Sequence, residues 1–196
     1  MINKEDMMKI ILVRHGLSEA NIGRFYSMND TILHENGYDV LEKTKKNLEK
    51  YTIDHVYTSK LLRSQQTAEK LGFDEYTIDS RLNELDFGNF KGKLFEETRK
   101  KEAQFFVEQE KDVHNVRYPE GESRADVIKR ISEFLDELVR KNENALCVSH
   151  GIAIKSSLFW ILKDLGDWDS FWLENGSITV FNIENGKKLV EAVNIL

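Results

Sequence analysis

Apolar residues fall along the chain in short unbroken runs separated by helical stripes, and that alternation predicts the architecture. Ile10 to Val13 is a continuous apolar run of strand length, the pattern of a strand covered on both faces, and it stops at Arg14-His15-Gly16, where a loop begins. Tyr38 to Tyr51 places Leu41, Thr44 and Leu48 on one stripe among charged residues, which predicts a surface helix. His55 to Thr58 reads as a second strand. Ser59 is a suitable N-cap for a helix that follows it to about Leu71, with Arg63 in its first turn. Ala145 to Ser149 repeats the arrangement, a short apolar strand ending at His150-Gly151 with a helical pattern from Ile152 to about Lys163.

Just before that strand lies the clearest helix. Ser123 with Asp126 resembles a capping box, and Val127, Ile128, Ile131, Phe134, Leu135, Leu138 and Val139 form one apolar face. Ser177 to Ile183 and Leu189 to Ile195 flank Asn185-Gly186, a hairpin signal that predicts antiparallel pairing at the C-terminal end. From about residue 91 to 123 charges are dense, and Leu94, Phe95, Phe105 and Phe106 make one thin apolar face, which predicts an inserted helical lid over the sheet edge. The expectation is an α/β fold of three α/β/α layers, with a mainly parallel sheet, antiparallel strands at the C-terminal end and the lid inserted. Residues 1–196 fit a single domain.

Composition narrows the classes. The chain is 40% apolar and 32% charged, with one proline, as expected of a folded soluble protein rather than a disordered one. Cys147 is the only cysteine and lies in an apolar run, so it has no partner for a disulfide or a metal knuckle, and a reducing compartment fits. The N-terminus shows no signal-like apolar region, and no stretch approaches a membrane span, so a cytoplasmic location is expected. A formal net charge of −6 argues against nucleic-acid or anionic-membrane binding, because both rely on a basic field. An anionic substrate would need cations placed locally, which makes individual arginines informative.

In an open parallel sheet, ligands bind beyond the carboxyl ends of the strands. Three predicted strands end there in polar residues: Arg14 and His15, then Ser59 and Arg63, then His150 and Gly151, whose following helix offers backbone amides. Two guanidinium groups, two imidazoles and helix N-termini suit a phosphoryl group. Arg14 and Arg63 would disfavour protonated His15 and leave a ring nitrogen free to attack phosphorus. The leaving oxygen needs a proton, for which Glu84, among apolar neighbours before the lid, is the first candidate and Asp86 the second. Neither a metal nor another cofactor is required, and His34, His55 and His114 have no spacing suggesting a shared metal. Trp160, Trp168, Trp172, Phe159 and Phe171 read as core or subunit contacts.

At these residues the chain resembles the histidine phosphatase superfamily, which includes the cofactor-dependent phosphoglycerate mutases and many small phosphatases. Leu12-Val13-Arg14-His15-Gly16-Leu17-Ser18-Glu19-Ala20-Asn21 is similar to the family signature. Tyr57 to Ser64 with Thr67-Ala68, the segment from Glu84 to Gly92, and Val148-Ser149-His150-Gly151 resemble its later motifs, in family order. The resemblance implies His15 as the phosphorylated residue, Glu84 as proton donor, and Arg14, Asn21, Arg63 and His150 as phosphate binders. Leu17, His34, Phe90 and Lys91 depart from the usual pattern outside that set, and bear on substrate choice.

The resulting expectation is a phosphatase acting on small-molecule phosphate monoesters, a monomer or homodimer whose partner is the small ester itself. A phosphoglycerate mutase is the rival within the family, and the segment from Leu85 to Gly92 is more similar to the phosphatase branch. A silent phospho-ligand module should have lost His15 or Glu84, and both are present. A metallohydrolase built on His15, His150 and Glu84 would have its cation repelled by the neighbouring arginines.

Overall fold

Four consecutive residues, Ile10 to Val13, are fully buried in the first strand, and the two faces they serve define the layers. A computed structural model describes residues 7–163 and 168–196 of the chain. Strand β1 (Met7–Arg14) lies in a six-stranded sheet with β2 (His55–Thr58), β3 (Thr77–Ile78), β4 (Ala145–Ser149), β5 (Ile178–Glu184) and β6 (Lys187–Ile195), in the order β3-β2-β4-β1-β5-β6. Strands β1 to β4 pair in parallel, while β5 is antiparallel to both β1 and β6.

Alternation along each strand divides the core. Ile10 and Leu12 of β1, with Ala145 and Cys147 of β4, face helices α6 (Arg124–Lys141) and α7 (Gly151–Leu162) through Ile131, Phe134, Leu135, Ile154 and Leu158. Ile11, Val13 and Leu146 point the other way, onto Leu41 and Leu48 of α2 (Tyr38–Leu48) and Leu71 of α3 (Leu62–Leu71). Each such side chain contributes roughly 1.5–3 kcal/mol on burial, and a strand covered on both sides must be apolar throughout, which is why its run was legible. The three-layer α/β expectation holds.

Local signals set the boundaries. Ser123 and Asp126 form the capping box at the start of α6, with Asp126 Oδ2 accepting from the Ser123 amide at 2.7 Å. Asn185 and Gly186 both have positive φ, 51° and 75°, as the tight turn between β5 and β6 requires. Ser59 does not cap α3. That helix starts at Leu62, and the Ser59 hydroxyl is engaged by the Leu61 amide and His150 instead.

Helix α1 (Glu19–Gly23) follows the β1 loop, and α4 (Phe95–Lys101) and α5 (Ala103–Lys111) occupy the segment expected as a lid. Phe105 and Phe106 pack with Tyr26, Phe90 and Tyr118 against Val127 and Ala153, at the N-terminal ends of α6 and α7, and Phe95 meets Tyr26 edge-on with centroids 4.7 Å apart, although it and Leu94 remain partly open to solvent. Trp168 is buried, but Trp172 is 70% exposed, its indole donating to Glu174, so it is not a core residue. Among the described residues no helix is long and apolar enough to cross a membrane.

Candidate active site

The parallel register carries the polar residues to one end of the sheet. Arg14 is paired with Ser149 across β1 and β4, so the next residues, His15 and His150, leave adjacent strands at the same level. Their ring centroids are 5.1 Å apart. On the far side of β4, Thr58 pairs with Val148, which brings Ser59 alongside, its hydroxyl 2.7 Å from His150 Nε2.

His15 is 4% exposed, and its Nδ1 lies 2.7 Å from the Gly16 carbonyl. A carbonyl can only accept, so in the neutral ring Nδ1 holds the proton and Nε2 keeps its lone pair. Burial, then the charge of Arg63, then that of Arg14, holds the ring well below the usual histidine pKa, outweighing the Gly16 hydrogen bond. His150 is likewise held well below it, by burial, then Arg63, then His15. Both rings are therefore neutral at neutral pH, and His15 Nε2 keeps a lone pair that no hydrogen bond occupies.

Arg63, in the first turn of α3, is only 1% exposed and donates to the Met28 carbonyl at 3.1 Å. Burial lowers its pKa to about 10 against the opposing pull of Glu84. Arg14 donates from a terminal nitrogen to the Leu173 carbonyl and packs beside Gly151, where a β-carbon would meet its Nε at 3.4 Å. Three buried donors in this group, Arg14 Nε, Arg63 Nε and His150 Nδ1, have no hydrogen-bond partner among the described residues. Each such group costs about 1–3 kcal/mol. A tetrahedral oxyanion offers acceptor oxygens of the kind such donors lack.

Glu84 lies across the N-terminus of α7. Its carboxylate accepts from the Ile152 and Ala153 amides, each at 3.3 Å, and from Leu85 at 2.9 Å. His150, the N-cap residue, makes no capping bond with its side chain, so Glu84 caps the helix from another segment. Asp86 forms an ion pair with Lys91 at 2.7 Å. Burial would raise its pKa, but the Lys91 and Gly88 hydrogen bonds together hold it below the ordinary carboxylate range. A cavity of about 320 Å³ opens beside Arg63, Glu84 and Asp86, with Asn29, Asn83 and Lys91 in its walls.

Asn21 stands at the start of α1, its side-chain oxygen accepting from the Ser18 amide at 3.0 Å and the Ser18 hydroxyl at 2.8 Å. One contributor had no sequence signal. Asn175 Nδ2 lies 3.1 Å from the His15 carbonyl, 3.3 Å from that of Gly16 and 3.2 Å from Asn21 Oδ1, tying the approach to β5 onto the histidine loop. Ser59 lies at the strand end where the sequence places it, but in place of capping α3 it is brought by the strand register to His150. Among the described residues no three His, Cys, Asp or Glu side chains group so as to hold a metal ion.

A buried neutral histidine between two arginines at the end of a parallel sheet is a phosphoryl-transfer arrangement, and sequence comparison agrees. The chain belongs to the histidine phosphatase superfamily (branch 1), matching it over residues 10–196. It is 31% identical over 196 residues to Phosphoserine phosphatase 1 of Hydrogenobacter thermophilus, covering 96% of this chain and 93% of that one. A Serratia proteamaculans protein named Probable phosphoglycerate mutase GpmB is 32% identical over 154 residues, covering 76% of this chain and 72% of the relative. The crystal structure of a phosphoserine phosphatase variant from Entamoeba histolytica, in complex with phosphoserine, superimposes with a TM-score of 0.79 at 29% identity, covering 95% of this chain and 96% of that one. These relatives support phosphatase or mutase chemistry for this chain.

Proposed function

We propose that the chain is a metal-independent phosphatase that cleaves small, polar phosphate monoesters through a phosphohistidine on His15. The observation that carries this reading is the tautomer of His15, whose Nδ1 is tied to Gly16 so that Nε2 is the free nitrogen, beside three unpaired donors. His15 Nε2 attacks phosphorus while the ester P–O bond breaks, and the departing oxygen takes a proton from Glu84. Water then attacks the phosphoryl group, Glu84 takes back a proton, the P–N bond breaks and phosphate leaves.

Arg14, Arg63 and His150 bind the transferring oxygens, with the Gly151 end of α7 and Asn21 on the rim. Asp86 is a poor proton donor because Lys91 and Gly88 favour its ionised form. The arginines supply the charge that a metal would otherwise bring. No other cofactor enters the reaction. The net charge of −6 supports a small ester, and neither a nucleic acid nor a membrane surface, as the partner of a cytoplasmic monomer or homodimer.

The cavity walls combine Lys91 and Asp86 with Asn29 and Asn83, which favours a polar, charged alcohol portion. Phosphoserine is the first ester to test, since relatives bear that activity in their names. Purified protein should release phosphate from p-nitrophenyl phosphate and from phosphoserine with EDTA present. Abolition by EDTA with rescue by zinc or magnesium would defeat the metal-independent reading, and phosphoglycerate interconversion faster than phosphate release would favour the mutase.

A further inference from the structure

We infer that Arg130, on α6, is a positioning residue for Glu84, acting through a clamp it forms with Glu122. The inference rests on Glu84 being the proton donor. Arg130 meets Glu122 with Nε to Oε1 and a terminal nitrogen to Oε2, both at 2.9 Å, the bidentate geometry in which a guanidinium holds a carboxylate most firmly. The remaining donors go to main-chain oxygens of one segment, Arg81 at 2.7 Å and Glu84 itself at 3.1 Å.

Glu122 completes the clamp from the other side. Its Oε2 accepts from the Asp86 amide at 3.0 Å and its own amide donates to the Asp86 carbonyl at 2.9 Å. The two segments approach so closely that a β-carbon on Gly121 would lie 2.2 Å from the Asp86 oxygen. Glu84 is thus held at its own carbonyl and, through Asp86, on its C-terminal side, while its carboxylate rests on α7.

An exposed ion pair would not support such a role. Arg99 and Glu110, for comparison, are 70% and 69% exposed in their side chains, whereas Arg130 and Glu122 are 16% and 25% exposed. Burying the pair removes water from both charges, which is a poor way to gain stability alone. What the pair provides is a fixed main-chain position for the acid at the wall of the cavity beside Arg63 and Asp86, which Arg130 and Glu122 also line.

Proton donation is sensitive to placement, and a shift of about 1 Å can cost on the order of a hundredfold. Its loss is visible only when the leaving group needs the proton. The test compares kcat/KM, which reports the step in which the leaving group departs, on glycerol phosphate, an alkoxide leaving group, with kcat/KM on p-nitrophenyl phosphate for Arg130→Lys, Glu122→Gln and Glu84→Gln. Arg130→Lys keeps the charge and loses the fork, so a direct electrostatic effect on the site would leave it active.

Expected for Arg130→Lys is a loss of about a hundredfold on glycerol phosphate, a much smaller loss on p-nitrophenyl phosphate, little change in KM, and no further loss when combined with Glu84→Gln. Arg130→Ala should regain rate on glycerol phosphate with added guanidinium. If the arginine variants do not fold, Glu122→Gln must show the same leaving-group dependence. Equal losses on both esters, or losses that add to that of Glu84→Gln, overturn the clamp. If Glu84→Gln discriminates between the esters and Arg130→Lys does not, only the clamp fails. If Glu84→Gln does not discriminate, the proton-donor reading falls and takes the clamp with it.

Discussion

The rings of His15 and His150 lie 5.1 Å apart between centroids and are tilted by 53°, yet their hydrogen bonds give them different work. His15 spends Nδ1 on Gly16, leaving Nε2 free, whereas His150 spends Nε2 on Ser59, leaving Nδ1 unpaired and buried. A Ser59 hydroxyl donating to Nε2 sets the tautomer in which Nδ1 carries a hydrogen and serves as a donor to phosphate. Rapidly quenched His15→Ala should therefore carry no acid-labile phosphate. His150→Ala should still be labelled at His15, about a hundred- to thousandfold more slowly, the cost of one lost oxyanion donor. Label mapped to a peptide containing His150 and absent from the one containing His15 would reverse these roles.

Glu84 has a structural duty separable from the proton donation proposed for it. Its carboxylate caps α7 at Ile152 and Ala153, so Glu84→Ala should destabilise the protein by about 0.5–2 kcal/mol, the usual cost of a lost cap. Glu84→Gln keeps an acceptor oxygen and should lose less stability, while losing proton donation as fully. Urea unfolding of the two variants, set beside their rates on an alkyl phosphate, checks the separation. Equal destabilisation would show that the cap does not depend on the acceptor.

Stability should fall on mild acidification. In the folded protein both histidines sit well below the ordinary value of 6.5, because burial and the arginines disfavour the charged ring. The unfolded chain therefore binds more protons as pH drops through that value, and linkage lowers stability by up to about 1.4 kcal/mol per pH unit for each ring. The contribution is fully present above pH 6.5 and is lost below it. Asp86, with a depressed carboxylate pKa, adds its loss only near and below 3.8, so denaturant midpoints between neutrality and pH 5 isolate the histidines. His15→Gln should flatten the dependence in that window. An unchanged slope would mean that the ring is not held neutral as described.

The elements were legible where a local rule governs them, and the contacts were not. Ile10 to Val13 and Ala145 to Cys147 show as apolar runs because both faces of their strands are covered, and Asn185-Gly186 shows as a hairpin because few residues accept positive φ. The pairing of Arg14 with Ser149 joins residues far apart in the chain, and no local pattern announces it. Ser59 misled for a related reason. A serine after a strand resembles a cap, but a buried imidazole competes for its hydroxyl and wins. In the sequence Glu122 is one more charge in the charge-dense segment before α6 and Arg130 one of the many charges on that helix, and only the docking of the Gly121 turn against Asp86 buries them.

Asn175 has no motif to mark it, and its predicted effect separates loop geometry from charge. Its side-chain nitrogen lies within hydrogen-bond reach of the His15 and Gly16 carbonyls, and of Asn21 Oδ1. The Gly16 carbonyl is the acceptor that fixes the His15 tautomer, so Asn175 holds in place the group that orients the ring proposed as nucleophile. Asn175→Ala removes no charge from the phosphate set and leaves Arg14, Arg63 and His150 in position. The amide of Gly176 still donates to the Arg14 and His15 carbonyls, at 3.0 and 3.2 Å, so the loop should stay attached to β5. The variant should then fold and bind an inhibitory oxyanion such as vanadate nearly as well as the unaltered protein. Phosphorylation of His15 should slow by about tenfold or more, since a misaligned nucleophile loses rate steeply. Asn175→Asp should be worse, because a carboxylate facing two carbonyl oxygens can only repel them. Vanadate affinity falling in step with the labelling rate would instead place Asn175 among the residues that bind the phosphoryl group.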